Sequence, residues 1–427
     1  MLDLKLVREQ PAFVMERLAV RGKQELRAAI QAVLGMDAER RALIGELDAM
    51  RATRNAVSPE VGRLKKAGRQ EEAEPLVRQM RELGDRMAVI EARAAEVEEQ
   101  LRAALLEIPN LPTEQVPAGG PECNVVLREW GETPAFDFEP RAHWDVADAL
   151  GLLDLPRATR MTGSGFPLFV GQGARLERAL IQMMLDLHTR EHGYTEVSPP
   201  FLVNATAALG TGHLPKFGED MYYIPEDGLY LVPTAEVPVT NLFAGEILAP
   251  DALPARYVAY SPCFRREAGA HGKDTRGILR VHQFDKVELV RFERPEDGPA
   301  ALEQLTAHAE AVLRLLGLRY RVLLLAGGDL GFANAQTYDL EVWAPGVQRW
   351  LEVSSCSLYN DYQARRANIR YRPASGSKPE FVSTLNGSGL GLPRTLIAIL
   401  EAFQQADGGI LLPGPLAAYF GADRIAA

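Results

Sequence analysis

Two heptad seams near the start of the chain restrict most strongly what it can fold into. From Met36 onward Leu43, Leu47, Met50, Val57, Val61 and Leu64 recur at three- and four-residue spacing, with Arg40 and Arg54 occupying two seam positions. A second seam runs without a break through Leu76, Met80, Leu83, Met87, Ile90, Ala94, Val97, Leu101, Ala104 and Ile108. Such spacing lines one stripe of an α-helix with apolar side chains. Two such helices, joined near Ala67-Gly68-Arg69, predict an antiparallel coiled-coil hairpin. At ~1.5 Å per residue the second helix would reach roughly 50 Å, longer than a compact domain needs. Ser58-Pro59-Glu60 reads as an N-cap with proline at the first helical position, so a kink or break is expected there. Pro75 places the start of the second helix near Glu74.

The far end of the hairpin is basic. Between Arg51 and Arg69 stand Arg51, Arg54, Arg63, Lys65, Lys66 and Arg69 against the single acid Glu60. A heptad hairpin is by itself a dimerisation or scaffolding arm, and an arginine on the seam such as Arg54 can simply snorkel to solvent. Six cations against one acid fit a surface that meets phosphates, and the near absence of aromatic residues points to shape and backbone recognition rather than base reading. The whole chain carries a net charge of -10, which argues against a general basic coat for nucleic acid.

A length of 427 residues suggests roughly two to three domains. Residues 1–106 are expected to form the helical arm, 107–125 a proline- and glycine-rich linker, and 126–427 a second domain. A hydrophobic fraction of 47% with 24% charged residues fits a globular protein with a large core. No run approaches the ~20 apolar residues of a membrane span. The opening Met1-Leu2-Asp3-Leu4-Lys5 has no signal-peptide stretch, so a cytoplasmic location is expected. Cys123, Cys263 and Cys356 are too few and too scattered for a disulfide framework or a zinc site.

In the second domain strands are expected at 256–261, 286–290, 320–325, 338–343 and 350–353, and helices at 174–192, 300–317 and 393–406. Strands following strands without regular crossover helices predict an α+β fold, a mostly antiparallel sheet flanked by helices. No Walker or Rossmann glycine fingerprint is present. Three segments carry chemistry. Phe264-Arg265-Arg266-Glu267 leads through a charged loop, 269–277, to Arg280-Val281-His282-Gln283-Phe284, and Asn386-Gly387-Ser388-Gly389-Leu390-Gly391-Leu392-Pro393-Arg394 follows downstream. Together they offer a phosphate clamp, an adenine acceptor, flat faces for stacking, and glycines that let backbone approach a ligand. Thr234-Ala235-Glu236 sets a hydroxyl beside a carboxylate, which suits an ammonium group and suits equally a helix N-terminus. Glu288 and Glu352 fall on predicted strands, where a buried carboxylate needs a partner, a structural ion pair serving as well as a ligand.

These segments, in this order, resemble the seryl-tRNA synthetases of aminoacyl-tRNA synthetase class II, and the resemblance covers nearly the whole chain. It implies that L-serine is activated by ATP to seryl-adenylate and transferred to tRNA(Ser), with tRNA(Sec) as a second substrate. It implies Arg265, Glu352 and Arg394 as catalytic residues, Arg265 bridging the serine carboxylate and the α-phosphate. Serine would be held by Thr234, Ala235, Glu236, Arg265, Glu288, Asn386 and Ser388. ATP would meet Arg265, Arg266, Glu267, Val281, Glu352, Val353, Ser354 and Ser355, its adenine lying between Phe284 and Arg394. Glu352 and Ser355 would supply hard oxygen ligands to Mg2+, and no zinc is implied. The loop 269–277 would meet the phosphates and later the tRNA acceptor end. Arg51, Arg54, Lys65, Lys66 and Arg69 would contact tRNA. Gly193-Tyr194 leading to Pro199-Pro200 resembles the family's dimer motif and implies a homodimer. The Leu390-Gly391-Leu392-Pro393 stretch departs from the alanine- and valine-containing form frequent in the family but keeps its glycine spacing and its arginine. A ligase that loads an amino acid onto a carrier protein would have little need of a basic arm. A noncatalytic paralogue would lack site residues that are all present here.

Overall fold

Both seams form helices, Glu25–Lys66 and Gln70–Leu106, in a computed structural model that describes residues 1–268 and 276–426. The chain divides into two compact units, one made of Leu2–Ala19 with Lys23–Ile108, the other of Met1, Val20–Gly22 and the residues from Pro109 onward. In the first unit Leu47, Met50 and Met87 are buried together, with Leu83, Ile90 and Ala94 packed against them. Ion pairs flank the seam, Arg93 meeting Glu39 at 2.7 Å and the seam residue Arg40 reaching Glu98 at 2.9 Å.

Neither proline breaks its helix. Pro59 lies inside Glu25–Lys66, where the Ser58 hydroxyl donates to the Arg54 carbonyl at 2.6 Å. The apolar stripe continues past it to buried Leu64, so packing along the partner helix outweighs one missing backbone bond. Pro75 is likewise internal, the helix starting at Gln70 rather than near Glu74. The Ala73 amide donates to the Arg69 carbonyl at 3.2 Å, Arg69 pairs with Glu72, and Ala73 is itself buried, so the first turn is closed before the proline is reached.

The second unit is built on an eight-stranded sheet. Its strands lie in the order Val125–Trp130, Tyr320–Leu324, Gln336–Ala344, Arg349–Asn360, Ser383–Gly391, Gln283–Glu293, Ala255–Phe264 and Thr195–Glu196. All neighbours run antiparallel except the last pair. Each expected strand is present, most of them longer than the apolar run that announced them. The helices Gln172–Arg190, Gly298–Leu316 and Leu392–Ala402 contribute Leu180, Met184, Leu305, Val312, Leu396 and Ile399 to one core with the sheet. The segment expected as a linker is packed rather than loose: the Asn110 amide donates to the carbonyls of Ala333 and Tyr359 at 2.9 and 2.8 Å, and the Thr113 amide to that of Ala335 at 2.9 Å. Among the described residues no helix is long and apolar enough to cross a membrane.

The Ser383–Gly391 strand runs through the middle of the sheet although three of its residues are glycine. Two of these glycines are explained by protein neighbours rather than by a ligand. A Cβ at Gly387 would lie 2.7 Å from the Cys356 sulfur, and one at Gly389 would lie 2.8 Å from Nε2 of His188. Only a residue without a side chain fits at these distances.

Candidate functional site

The period-two alternation of three central strands delivers side chains to one cavity of about 350 Å3. Phe284, Lys286 and Glu288 come from Gln283–Glu293, Val353, Ser355, Ser357 and Tyr359 from Arg349–Asn360, and Asn386 and Ser388 from Ser383–Gly391. Ser388 lies directly opposite Glu288 in the antiparallel ladder, just before a register shift between Ser388 and Leu390. Arg394, in the first turn of Leu392–Ala402, closes one end, and Thr234 and Glu236 enter from the segment that starts the short helix Glu236–Thr240.

One end is crowded with buried charge. Glu288 is 2% exposed, accepts from the Thr234 hydroxyl at 3.0 Å and pairs closely with Lys286. Burial pushes its carboxyl above the usual range, while Lys286 and Thr234 pull it back toward the charged form. Glu236 is also raised by burial, countered by Lys286 and by Gln363, whose amide donates to it at 2.8 Å. Asn386 accepts from the Tyr359 hydroxyl at 3.1 Å. Its Nδ2 lies near enough to Glu236 to favour that carboxylate's charge, yet it is buried and makes no hydrogen bond of good geometry among the described residues.

The other end is flatter and more open. The Arg265 guanidinium lies over the Phe284 ring, 5.1 Å from its centroid, and donates to the Pro233 carbonyl at 3.3 Å. Arg394 donates to the Glu352 backbone carbonyl at 2.9 Å and to its carboxylate at 3.4 Å. Glu267, at a φ of 50°, pairs with Arg280. Below Glu352, Asp339 faces Ser355 across the ladder, and its Oδ1 is buried with no hydrogen-bond partner among the described residues. Burial, then the neighbouring charge of Glu352, drive its carboxyl well above the usual range. A buried acid beside a second acid fits a bound cation.

Thirteen of the residues expected at the site line this cavity: Thr234, Glu236, Arg265, Glu267, Val281, Phe284, Glu288, Glu352, Val353, Ser355, Asn386, Ser388 and Arg394. Three are placed elsewhere. Ala235 is fully buried in an apolar cluster with Val239, Leu253 and Val290. Ser354 falls on the opposite face of its strand, where its hydroxyl donates to the Ser388 carbonyl at 2.7 Å. The Arg266 guanidinium lies 5.9 Å from the centroid of the Tyr222 ring. Of the charged loop, 269–275 lie outside the described residues, and Arg276 stacks on Trp144 at 4.3 Å. His282 precedes the strand Gln283–Glu293 and bonds through Nδ1 to the Arg265 carbonyl at 3.0 Å. Lys286, Ser357 and Tyr359 were not expected at the site, although the same alternation that selects Glu288 and Ser355 selects them too. Asn334 and His213 carry no such signal.

At the hairpin, Arg51 meets Asp48 and Glu91 at 3.3 and 3.1 Å, Arg63 meets Glu60 at 3.1 Å, and Arg69 pairs with Glu72. The basic run is therefore partly neutralised by acids of both helices, while Arg54, Lys65 and Lys66 stand exposed.

Comparison with known proteins matches the family model described as the tRNA synthetase class II core domain (G, H, P, S and T) to residues 222–403, and that of the seryl-tRNA synthetase N-terminal domain to residues 1–112. The serine–tRNA ligase of Carboxydothermus hydrogenoformans is 52% identical over 426 residues, covering 100% of this chain and 99% of that protein. The chain belongs to the seryl-tRNA synthetase family. The serine–tRNA ligase of Thermodesulfovibrio yellowstonii is likewise 52% identical, over 427 residues and 100% of both chains. Among solved structures, the seryl-tRNA synthetase from Pyrococcus horikoshii complexed with ATP superposes with a TM-score of 0.95 at 36% identity, covering 100% of this chain and 99% of that one. Membership makes the chain a class II aminoacyl-tRNA synthetase and a serine–tRNA ligase, with the α+β architecture of that class.

Proposed function

We propose that the cavity activates L-serine with ATP and passes the seryl group to tRNA(Ser), and also to tRNA(Sec), in two steps. The observation that carries this reading is the ladder pair Glu288 and Ser388, set in a cavity whose other end holds Arg265, Phe284 and Arg394. A small hydroxylated amino acid fits the first end, with the orphan Asn386 donor and the Glu288 acceptor within its lining. A nucleotide fits the second, and a similar protein has been solved with ATP.

In the first step a serine carboxylate oxygen attacks the α-phosphorus, forming the acyl phosphate bond as the bond to pyrophosphate breaks. Arg265 neutralises charge that gathers on the α-phosphate and orients the carboxylate, so catalysis is positioning and electrostatics rather than proton transfer. Phe284 and Arg394 hold the adenine, and Glu267 accepts from it. Glu352 and Ser355, with Asp339 behind them, would hold Mg2+ together with the phosphates, and the ion would neutralise phosphate charge. In the second step a terminal ribose hydroxyl of tRNA attacks the acyl carbon and AMP leaves. We further propose a cytoplasmic homodimer formed about the segment of Pro200, where Phe201 and Leu202 expose apolar surface. Pyrophosphate exchange surveyed across the twenty amino acids tests the assignment: serine should dominate, and equal exchange with threonine would refute it.

The arm, residues 1–106, is proposed to bind the tRNA body through phosphates. Neutralising Arg51, Arg54, Lys65 and Lys66 together should weaken tRNA binding and flatten its log–log salt dependence by roughly two to three units, at about 0.9 per lost phosphate contact, with already paired Arg51 contributing least. Serine-dependent exchange on the same preparation should not change. Unaltered affinity and slope would make the basic end merely a solvated one.

A further inference from the structure

Residues 330–334, between the strands Tyr320–Leu324 and Gln336–Ala344, lie in no helix or strand, yet all five of their carbonyls accept from two residues distant in sequence. The Arg21 guanidinium donates to the carbonyls of Leu330, Gly331 and Asn334 at 3.3, 3.1 and 2.5 Å, and to that of Asn110 at 2.8 Å. Asn110 completes the set. Its backbone amide donates to Phe332 at 3.0 Å, and its side chain to the carbonyls of Ala333 and Tyr359 at 2.9 and 2.8 Å. Arg21 stands in Val20–Gly22, the short stretch of the N-terminal region that belongs to the second unit, where Val20 packs against Val116, Leu325 and Leu330. It is 5% exposed, and no carboxylate pairs with it among the described residues. Burial lowers its pKa to about 10, which leaves it charged at neutral pH, so the carbonyl dipoles alone compensate the buried cation.

The clamped loop ends at a residue of the cavity. Asn334 lines it, and its side-chain amide donates to the hydroxyls of Thr337 and Ser357, both at 2.8 Å. Ser357 also lines the cavity and lies directly opposite Asn386 in the ladder. Tyr359, whose carbonyl Asn110 holds, donates its hydroxyl to Asn386 at 3.1 Å. We propose that Arg21 is a positioning residue for serine: by holding the backbone of Asn334 it fixes the Asn334 amide, and through that amide the Ser357 hydroxyl beside Asn386. The proposal rests on the reading of the cavity as a serine-activating site. The Thr337 and Ser357 hydroxyls each have three staggered positions, and a bond from a fixed amide selects one of them. Lysine offers no substitute, since a single nitrogen cannot span carbonyls that a planar fork reaches from three atoms. Arg265, Phe284 and Arg394, assigned to the nucleotide, take no hydrogen bond from this network among the described residues. The effect of Arg21 should therefore fall on serine and spare ATP.

The test compares wild type, Arg21→Ala, Arg21→Lys, Asn334→Ala and the double variant Arg21→Ala/Asn334→Ala in serine-dependent pyrophosphate exchange, with a melting temperature for each preparation. Arg21→Ala should lower kcat/KM for serine roughly 10- to 100-fold, the scale of a misplacement of about 1 Å, chiefly by raising the KM for serine. The KM for ATP should stay near that of wild type. Arg21→Lys should show most of the same loss, and Asn334→Ala should share it. Because Arg21 acts through Asn334, the double variant should be no worse than the worse of the two single ones. KM values for serine and ATP that rise together would overturn the proposal, as would a loss confined to kcat that follows the fall in melting temperature. Losses that add in the double variant would overturn it too. Should Arg21→Ala fail to fold, Arg21→Lys and Asn334→Ala report the same split between the two substrates. Absence of serine-dependent exchange in wild type would refute the reading of the site instead.

Discussion

Serine should drive pyrophosphate exchange at a kcat/KM roughly 10⁴-fold or more above that of alanine, because alanine leaves buried polar groups of the cavity without a partner. Those groups are Glu288, 2% exposed, and the amide of Asn386, whose Nδ2 lacks a well-formed hydrogen bond among the described residues. Glu288→Ala should remove most of that preference and depress serine activation, since it deletes an acceptor and leaves the nearly buried Lys286 without its carboxylate. The variant's melting temperature and its exchange with both amino acids separate loss of recognition from loss of fold. Retention of the full serine preference in a folded Glu288→Ala enzyme would show that the hydroxyl is read elsewhere.

Arg265→Lys should lower adenylate formation by about 10²-fold or more, the usual consequence of removing a positioned charge donor. Lysine keeps the charge and loses the planar fork. In this fold the loss is compounded, because the guanidinium covers Phe284 and is steered by the Pro233 carbonyl, neither of which an ammonium on a flexible stem reproduces. Single-turnover formation of seryl-adenylate measures the step directly. A rate near that of wild type would remove Arg265 from the role of clamp.

Much of this was legible before any coordinates. Heptad spacing identified both arm helices, and apolar runs located five of the eight sheet strands; the glycine-rich Ser383–Gly391 and the strands Val125–Trp130 and Thr195–Glu196 were not expected. Local rules failed where tertiary packing opposed them. Pro59 is a helix breaker by propensity, yet the stripe from Met50 to Leu64 keeps the helix whole. A motif is not a block of side chains facing one way, since Ser354 and Ala235 sit among site residues in sequence while the geometry of strand and turn sends their side chains into the protein. The Glu236–Gln363 bond joins residues 127 apart, and no local pattern announces it. The same holds for Glu91, the acid that the second helix brings to Arg51 of the first.

The two glycines against Cys356 and His188 bear on how such a protein can change its substrate. A bulkier residue on the far side of a strand can shift the side chains on its near face. Here that route is blocked, because even a methyl group at Gly387 or Gly389 would collide with a neighbour less than 3 Å away. Along this strand, drift in preference must then be written in the cavity-facing Asn386 and Ser388 themselves. Fidelity of this kind is protected by the absence of room behind the site as much as by the contacts in front of it.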